Sequence, residues 1–123
     1  MGRYKLRARR RRGGYGQVYL GQDRGKGLAA IKVLHPDLAA LDDEYRTRFR
    51  QEVELGLRIS SEFTASILAA DFESDRLWMA TEWVDGPALD EIVADGPLEP
   101  AALLAIASGM AEALVAIHDV GGI

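Results

Sequence analysis

Cysteine is absent from all 123 residues, which removes disulfide frameworks, thiolate metal sites and cysteine nucleophiles, and fits a reducing compartment. Histidine is nearly as scarce. His35 and His118 stand far apart with no cysteine partners, so the spacing of a metal site is not formed and no metal is expected. No Gly-x-x-x-x-Gly-Lys-Ser/Thr run occurs, which excludes a P-loop. No stretch approaches the roughly 18 continuous apolar residues of a membrane span, and the basic segment after Met1 has no apolar signal-type region. The expectation is a cytoplasmic chain with no membrane segment. Internal repeats and low-complexity tracts are also missing, apart from an arginine run near the start and an alanine-rich bias towards the end.

What is present is ordinary for a small soluble domain: 48% hydrophobic and 28% charged residues. A formal charge of -4 argues against a general nucleic-acid binder. Against that sign, Arg7, Arg9, Arg10, Arg11 and Arg12 crowd one segment. The segment reads as a solvated strand edge or as a basic rim beside a polyphosphate.

Period divides the chain into elements. Tyr4, Leu6 and Ala8 alternate with charged residues and Gln17-Val18-Tyr19-Leu20 resumes after the glycines, so a hairpin forms around Gly13 to Gly16. A third strand, Ala29 to Leu34, follows a Gly25-Lys26-Gly27 turn, and His35-Pro36-Asp37 ends it because Pro36 has no N–H to donate. From Asp42 to about Ser60, Tyr45, Phe49, Val53 and Gly56 recur at helical spacing and define one inward face, with Glu52 on its edge. Strands over Ile67 to Phe72 and Leu77 to Val84 flank the turn Glu73 to Arg76. Beyond Asp85-Gly86-Pro87 the strand signals cease. A short helix over Ala88 to Ala94 and a long one over Pro100 to Val120 follow, the latter marked by Pro100 at its start and Gly121-Gly122 at its end. His118 falls in its last turn, where a cation complements the dipole. A domain boundary is placed at about Gly86.

Two features carry chemistry. Gly13, Gly14 and Gly16 let backbone N–H groups approach an anion, and Lys32, in the run Ala29 to Leu34, supplies a point charge to hold it. Gly25-Lys26-Gly27-Leu28-Ala29-Ala30 imitates a dinucleotide fingerprint but opens a strand rather than a helix, so it lacks the helix N-terminus that a pyrophosphate needs. Taken singly, the glycines fit a tight hairpin, Lys32 a solvated strand residue, Glu52 a solvated helix residue and Thr81 a packing residue. Their order and spacing together point to a nucleotide phosphate site.

In that order the chain resembles the N-terminal lobe of a Hanks-type serine/threonine protein kinase of the bacterial eukaryotic-like kind, over essentially its whole length. In the loop pattern Gly-x-Gly-x-x-Gly-x-Val, Gly13, Gly16 and Val18 take the second, third and valine positions, while Arg11 stands where the first glycine belongs. Ala30-Ile31-Lys32 matches the third-strand Ala-x-Lys, in which alanine packs on adenine and lysine reaches the α- and β-phosphates. Glu52 matches the αC glutamate that ion-pairs with that lysine. Thr81-Glu82-Trp83-Val84 matches the gatekeeper and hinge, where the C=O of Glu82 and the N–H of Val84 read the adenine edge.

The resemblance implies an α+β fold: a five-stranded antiparallel sheet with one αC-type helix over residues 1–86, then over 87–123 the first two helices of a truncated α-helical C-lobe. It implies ATP as ligand, proteins as phosphoryl acceptors, Lys32 and Glu52 as catalytic-site residues, and Mg²⁺ in the intact family. The catalytic His-Arg-Asp loop, the asparagine and Asp-Phe-Gly aspartate that hold Mg²⁺, and the activation loop have no counterpart in these residues. The 123 residues are therefore expected to be inactive by themselves. The long helix carries Leu103, Leu104, Ile106, Met110, Leu114, Val115 and Ile117, at roughly 1.5 to 3 kcal/mol each when buried. Left bare, that surface predicts self-association through residues 100–120. Two other readings stand beside this one: a non-catalytic nucleotide-binding or regulatory module, and a basic nucleic-acid-binding arm on an unrelated small domain.

Overall fold

The computed structural model describes residues 1–12, 16–34, 43–74 and 76–121. Its elements are β1 (Lys5–Arg12), β2 (Gly16–Gln22), β3 (Leu28–Leu34), α1 (Asp43–Arg58), β4 (Ile67–Asp71), β5 (Trp78–Glu82), α2 (Leu89–Val93) and α3 (Pro100–Asp119). The chain divides into two compact units, Met1–Arg58 with Ala65–Trp83, and Ile59–Thr64 with Val84–Ile123.

The first unit is the expected five-stranded antiparallel sheet, in the order β1-β2-β3-β5-β4, with one helix. Alternation along central β3 sends Ala29, Ile31 and Val33 to one face, where they form a core with Tyr4, Trp78 and Ala80. Tyr4 meets Trp78 edge-on at 6.3 Å between ring centroids, a geometry that suits aromatic quadrupoles. On the opposite face α1 packs Phe49 and Val53 against Leu34, Leu77 and Met79, as the spacing of its apolar residues requires. Gly56 completes that packing: a Cβ there would lie 2.3 Å from Ile67 Cδ1, so a larger residue requires the Ile67 side chain to move.

Several expectations shift in detail. Leu6, in phase with buried Tyr4, is exposed; beyond it β1 slips register against β2 between Leu6 and Ala8, and the extra residue, Arg7, breaks the period-two alternation. In the turn after β2 it is Lys26, at φ +66°, that adopts the left-handed conformation. Asp23 organises this turn by donating its N–H to Gly27 O at 2.9 Å and accepting from Gly27 N at 2.8 Å. The β4–β5 turn is held the same way: Asp71 Oδ1 accepts from the N–H groups of Glu73 and Ser74, each at 3.1 Å. The expectations placed on His35-Pro36-Asp37, Asp42 and Asp75 lie outside the described residues.

In the second unit, α3 begins at Pro100 with Leu103 N–H bonded to Glu99 O at 2.9 Å, and ends at Gly121, whose φ of +80° lets its N–H reach His118 O at 3.0 Å. Gly109 is buried against the Phe63 ring. Leu104, Met110 and Val115 are 69%, 60% and 58% exposed, so the broad apolar surface of this helix is largely uncovered. The expectation that nothing approaches a membrane span needs correction: α3 has 20 residues and a mean hydropathy of 1.8 over its best 18. By length and composition it is long and apolar enough to cross a membrane. The reason is its many alanines interspersed with Leu, Ile, Val and Met, which raise mean hydropathy without an unbroken run of bulky apolar residues.

Because Leu77 is fully buried and Leu57 is 60% exposed, Leu77→Ala is expected to cost about 2–5 kcal/mol. Leu57→Ala should stay within about 0.5 kcal/mol. Urea denaturation of the two variants checks this, and equal costs would contradict the core assignment.

Candidate nucleotide-binding lobe

The pairing register assembles the site. Residues directly opposite in antiparallel strands share a face, and Val18 lies opposite Lys32, which lies opposite Met79; Leu20 lies opposite Ala30, which lies opposite Thr81. Met79 belongs to the core under α1. Val18, Ala30, Lys32 and Thr81 therefore occupy the face of the sheet that α1 covers in part. Gly16 joins them at the end of this face, opposite Leu34. A Cβ on Gly16 would lie 2.0 Å from Val33 O, a backbone clash that no side-chain movement relieves.

Lys32 and Glu52 line one cavity of about 200 Å³, together with Leu34, Tyr45, Arg48 and Phe49. The glutamate comes from α1 and the lysine from β3, so two residues 20 apart in sequence, on different elements, deliver opposite charges to one place. They do not form an ion pair within 4.0 Å: the salt bridges among the described residues are Arg48–Glu44 and Arg50–Glu73. The two residues are brought together, and the ion pair implied by the resemblance is open. Arg48 is the residue of this cavity that sequence reasoning passed over. Its spacing four residues before Glu52 on one helix face was the available signal.

Of the remaining expected residues, Glu82 ends β5. Its N–H is already bonded to Ser66 O at 2.9 Å, and its carboxylate accepts the Ser66 N–H at 2.8 Å. The Glu82 carbonyl lies 3.5 Å from Thr81 Oγ1. On the next residue, the Arg10 guanidinium sits 5.7 Å above the Trp83 ring, a cation–π contact that ties β1 to the end of β5. Val84 is 71% exposed and belongs to the second unit. Gly13 and Gly14 lie outside the described residues.

Solved structures resemble this arrangement. The kinase domain of PknI from Mycobacterium tuberculosis superposes with a TM-score of 0.82 at 32% identity, over 97% of this chain and 49% of that domain. Curated relatives agree. The probable serine/threonine-protein kinase PkwA of Thermomonospora curvata is 42% identical over 98% of this chain, and AfsK of Streptomyces coelicolor is 38% identical over 98%. The chain belongs to the Hanks-type serine/threonine protein kinases. It carries the sheet and helix of their N-terminal lobe, and spans about half of the solved kinase domain. Against the full PkwA and AfsK sequences it spans 16% and 15%. No family model matches the chain.

The end of β5 in this kinase lobe titrates. Hydrogen bonding from Ser66, first from its side chain and then from its backbone, holds the Glu82 carboxyl below the usual carboxylate range. For Asp71 the Ser74 and Glu73 N–H groups do the same, assisted by the Ser74 hydroxyl. A depressed folded-state pKa means that the unfolded chain takes up protons first as pH falls. The stability these carboxylates contribute is thus complete above the unfolded value of about 4 and is lost as pH drops through the folded value. Glu82→Gln and Asp71→Asn are each expected to flatten the acid limb of a plot of stability against pH. Acid limbs as steep as wild type in both variants would contradict the assignment.

Proposed function

We propose that this lobe binds ATP for a serine/threonine protein kinase, which in its intact form transfers the γ-phosphoryl group to protein hydroxyls. The observation that carries the reading is the convergence of Lys32 and Glu52 on one cavity, on the sheet face that also holds Val18, Ala30 and Thr81. In this reading Ala30 and Val18 contact the adenine, Thr81 stands behind it, and the Glu82 carbonyl and Val84 N–H meet its polar edge. Lys32 pairs with the α- and β-phosphates, and Glu52 orients Lys32 once nucleotide draws the ammonium inward. Gly13, Gly14 and Gly16 cover the phosphates.

The family also implies Mg²⁺. The described residues contain no group of three or more His, Cys, Asp or Glu side chains placed to hold a metal ion, so no step here is assigned to one. These residues position phosphate and contribute no proton acceptor for a substrate hydroxyl. The 123-residue polypeptide is accordingly proposed to bind nucleotide without transferring phosphoryl groups. That property is shared with the second reading, a non-catalytic nucleotide-binding or regulatory module.

Titrating the purified chain with ATP, with and without Mg²⁺, and following the melting temperature tests the site. Saturable stabilisation is expected. Lys32→Ala should weaken it by about 1.5–3 kcal/mol, the typical worth of a hydrogen bond to a charged group. A folded wild-type chain with no shift, or a Lys32→Ala variant that binds equally well, would sink the proposal.

We also propose that the uncovered apolar surface of α3 draws two copies of this polypeptide together, since Leu103, Leu104 and Met110 are all more than half exposed. Sedimentation equilibrium should show a concentration-dependent mass that Leu104→Glu with Met110→Glu reduces. A monomer at all concentrations would contradict it.

A further inference from the structure

Glu44, Arg48 and Glu52 follow one another at four-residue intervals on α1. Arg48 thus has a carboxylate one turn away on either side, and it lines the same cavity as Lys32 and Glu52. Its guanidinium is engaged in one direction only: Arg48 Nη2 donates to Glu44 Oε1 at 2.8 Å. Glu52, with neither Arg48 nor Lys32 within ion-pair distance, is left uncommitted at the cavity.

The direction of the pairing has a physical cause. On a helix, an acidic residue four positions before a basic one makes a better pair than the reverse order, because that order agrees with the helix dipole. Glu44–Arg48 is in the favoured order and Arg48–Glu52 in the disfavoured one. Among the described residues Arg48 and Lys32 are the cations lining the cavity, so whatever holds Arg48 away leaves the Glu52 carboxylate available to Lys32.

We propose that Glu44 is a positioning residue for the nucleotide site: by retaining Arg48, it prevents an Arg48–Glu52 pair from competing with the Lys32–Glu52 pair. Arg48 is then the alternative partner of Glu52, and the exchange between its two carboxylates sets how readily Lys32 is oriented. This inference rests on the nucleotide-site reading for its effect on ATP. The charge exchange itself is readable without ATP.

Two measurements on the full chain test it. In the first, the side-chain carboxyl carbon of Glu52 is followed by NMR without nucleotide. Glu44→Gln should shift the midpoint of its titration downwards as Arg48 turns to it, and Glu44→Gln with Arg48→Gln should return it. An unchanged midpoint in Glu44→Gln, or failure of the double variant to restore it, overturns the proposal. In the second, ATP affinity is compared by calorimetry. Glu44→Gln should weaken binding about twofold in the wild-type background, the scale of one helical ion pair, and should have no further effect in the Arg48→Gln background. A simple loss of helix stability would persist whether or not Arg48 is present, so a double variant weaker than Arg48→Gln also overturns it. If Lys32→Ala binds ATP like wild type, the nucleotide reading fails, while the Glu52 titration still decides the exchange.

Discussion

The seating of α1 on the sheet is the contact on which the rest depends. Phe49 and Val53 are almost completely buried against Leu34, Leu77 and Met79, and Lys32 stands directly opposite Met79 in the pairing of β3 with β5. One helical turn along α1 from Phe49 towards Val53 lies Glu52. The apolar contact therefore fixes, as a by-product, that a carboxylate from the helix and an ammonium from the sheet face the same cavity. No charge attraction is needed to assemble them. The lobe brings the two within one cavity by hydrophobic packing, and leaves the ion pair itself open to be made or unmade.

That division has a functional logic. A pair closed in the resting fold would be a static feature of the lobe. A pair left open by the packing, with an arginine on the same helix lining the same cavity, is in the proposed reading free to respond to the charge of whatever enters it. Burial of this kind is worth several kcal/mol for each large side chain, whereas exposed helical ion pairs are worth a few tenths. The scaffold is thus insensitive to the very interactions that its site uses for control.

The second unit obeys a different balance. It is held by the terminal hydrogen bonds of α3 and by the contact of Gly109 with Phe63, and leaves much of a helical apolar surface in the open. Its alanine, leucine and isoleucine content gives α3 a mean hydropathy of 1.8 over its best 18 residues. The match to solved kinase domains over 97% of the chain places the same sequence within a known fold.

Much of this was legible in the residues themselves. Strand alternation, the helical recurrence of Tyr45, Phe49, Val53 and Gly56, and the Gly-Pro break at Gly86-Pro87 declare the elements, because period is a local property that each segment carries by itself. The order of glycines, Lys32, Glu52 and Thr81 declared the family for the same reason. The tertiary structure alone decided what depends on register and on contacts between segments. The bulge at Arg7 breaks the alternation of β1, a backbone carbonyl excludes any side chain from Gly16, the Glu82 carboxylate is spent on Ser66, and Arg48 enters the Lys32 cavity while the Lys32–Glu52 pair stays open. A one-residue slip in pairing or a choice between two equidistant carboxylates leaves no mark on local periodicity. Such features are settled only when separate segments meet and compete for the same space and the same charge.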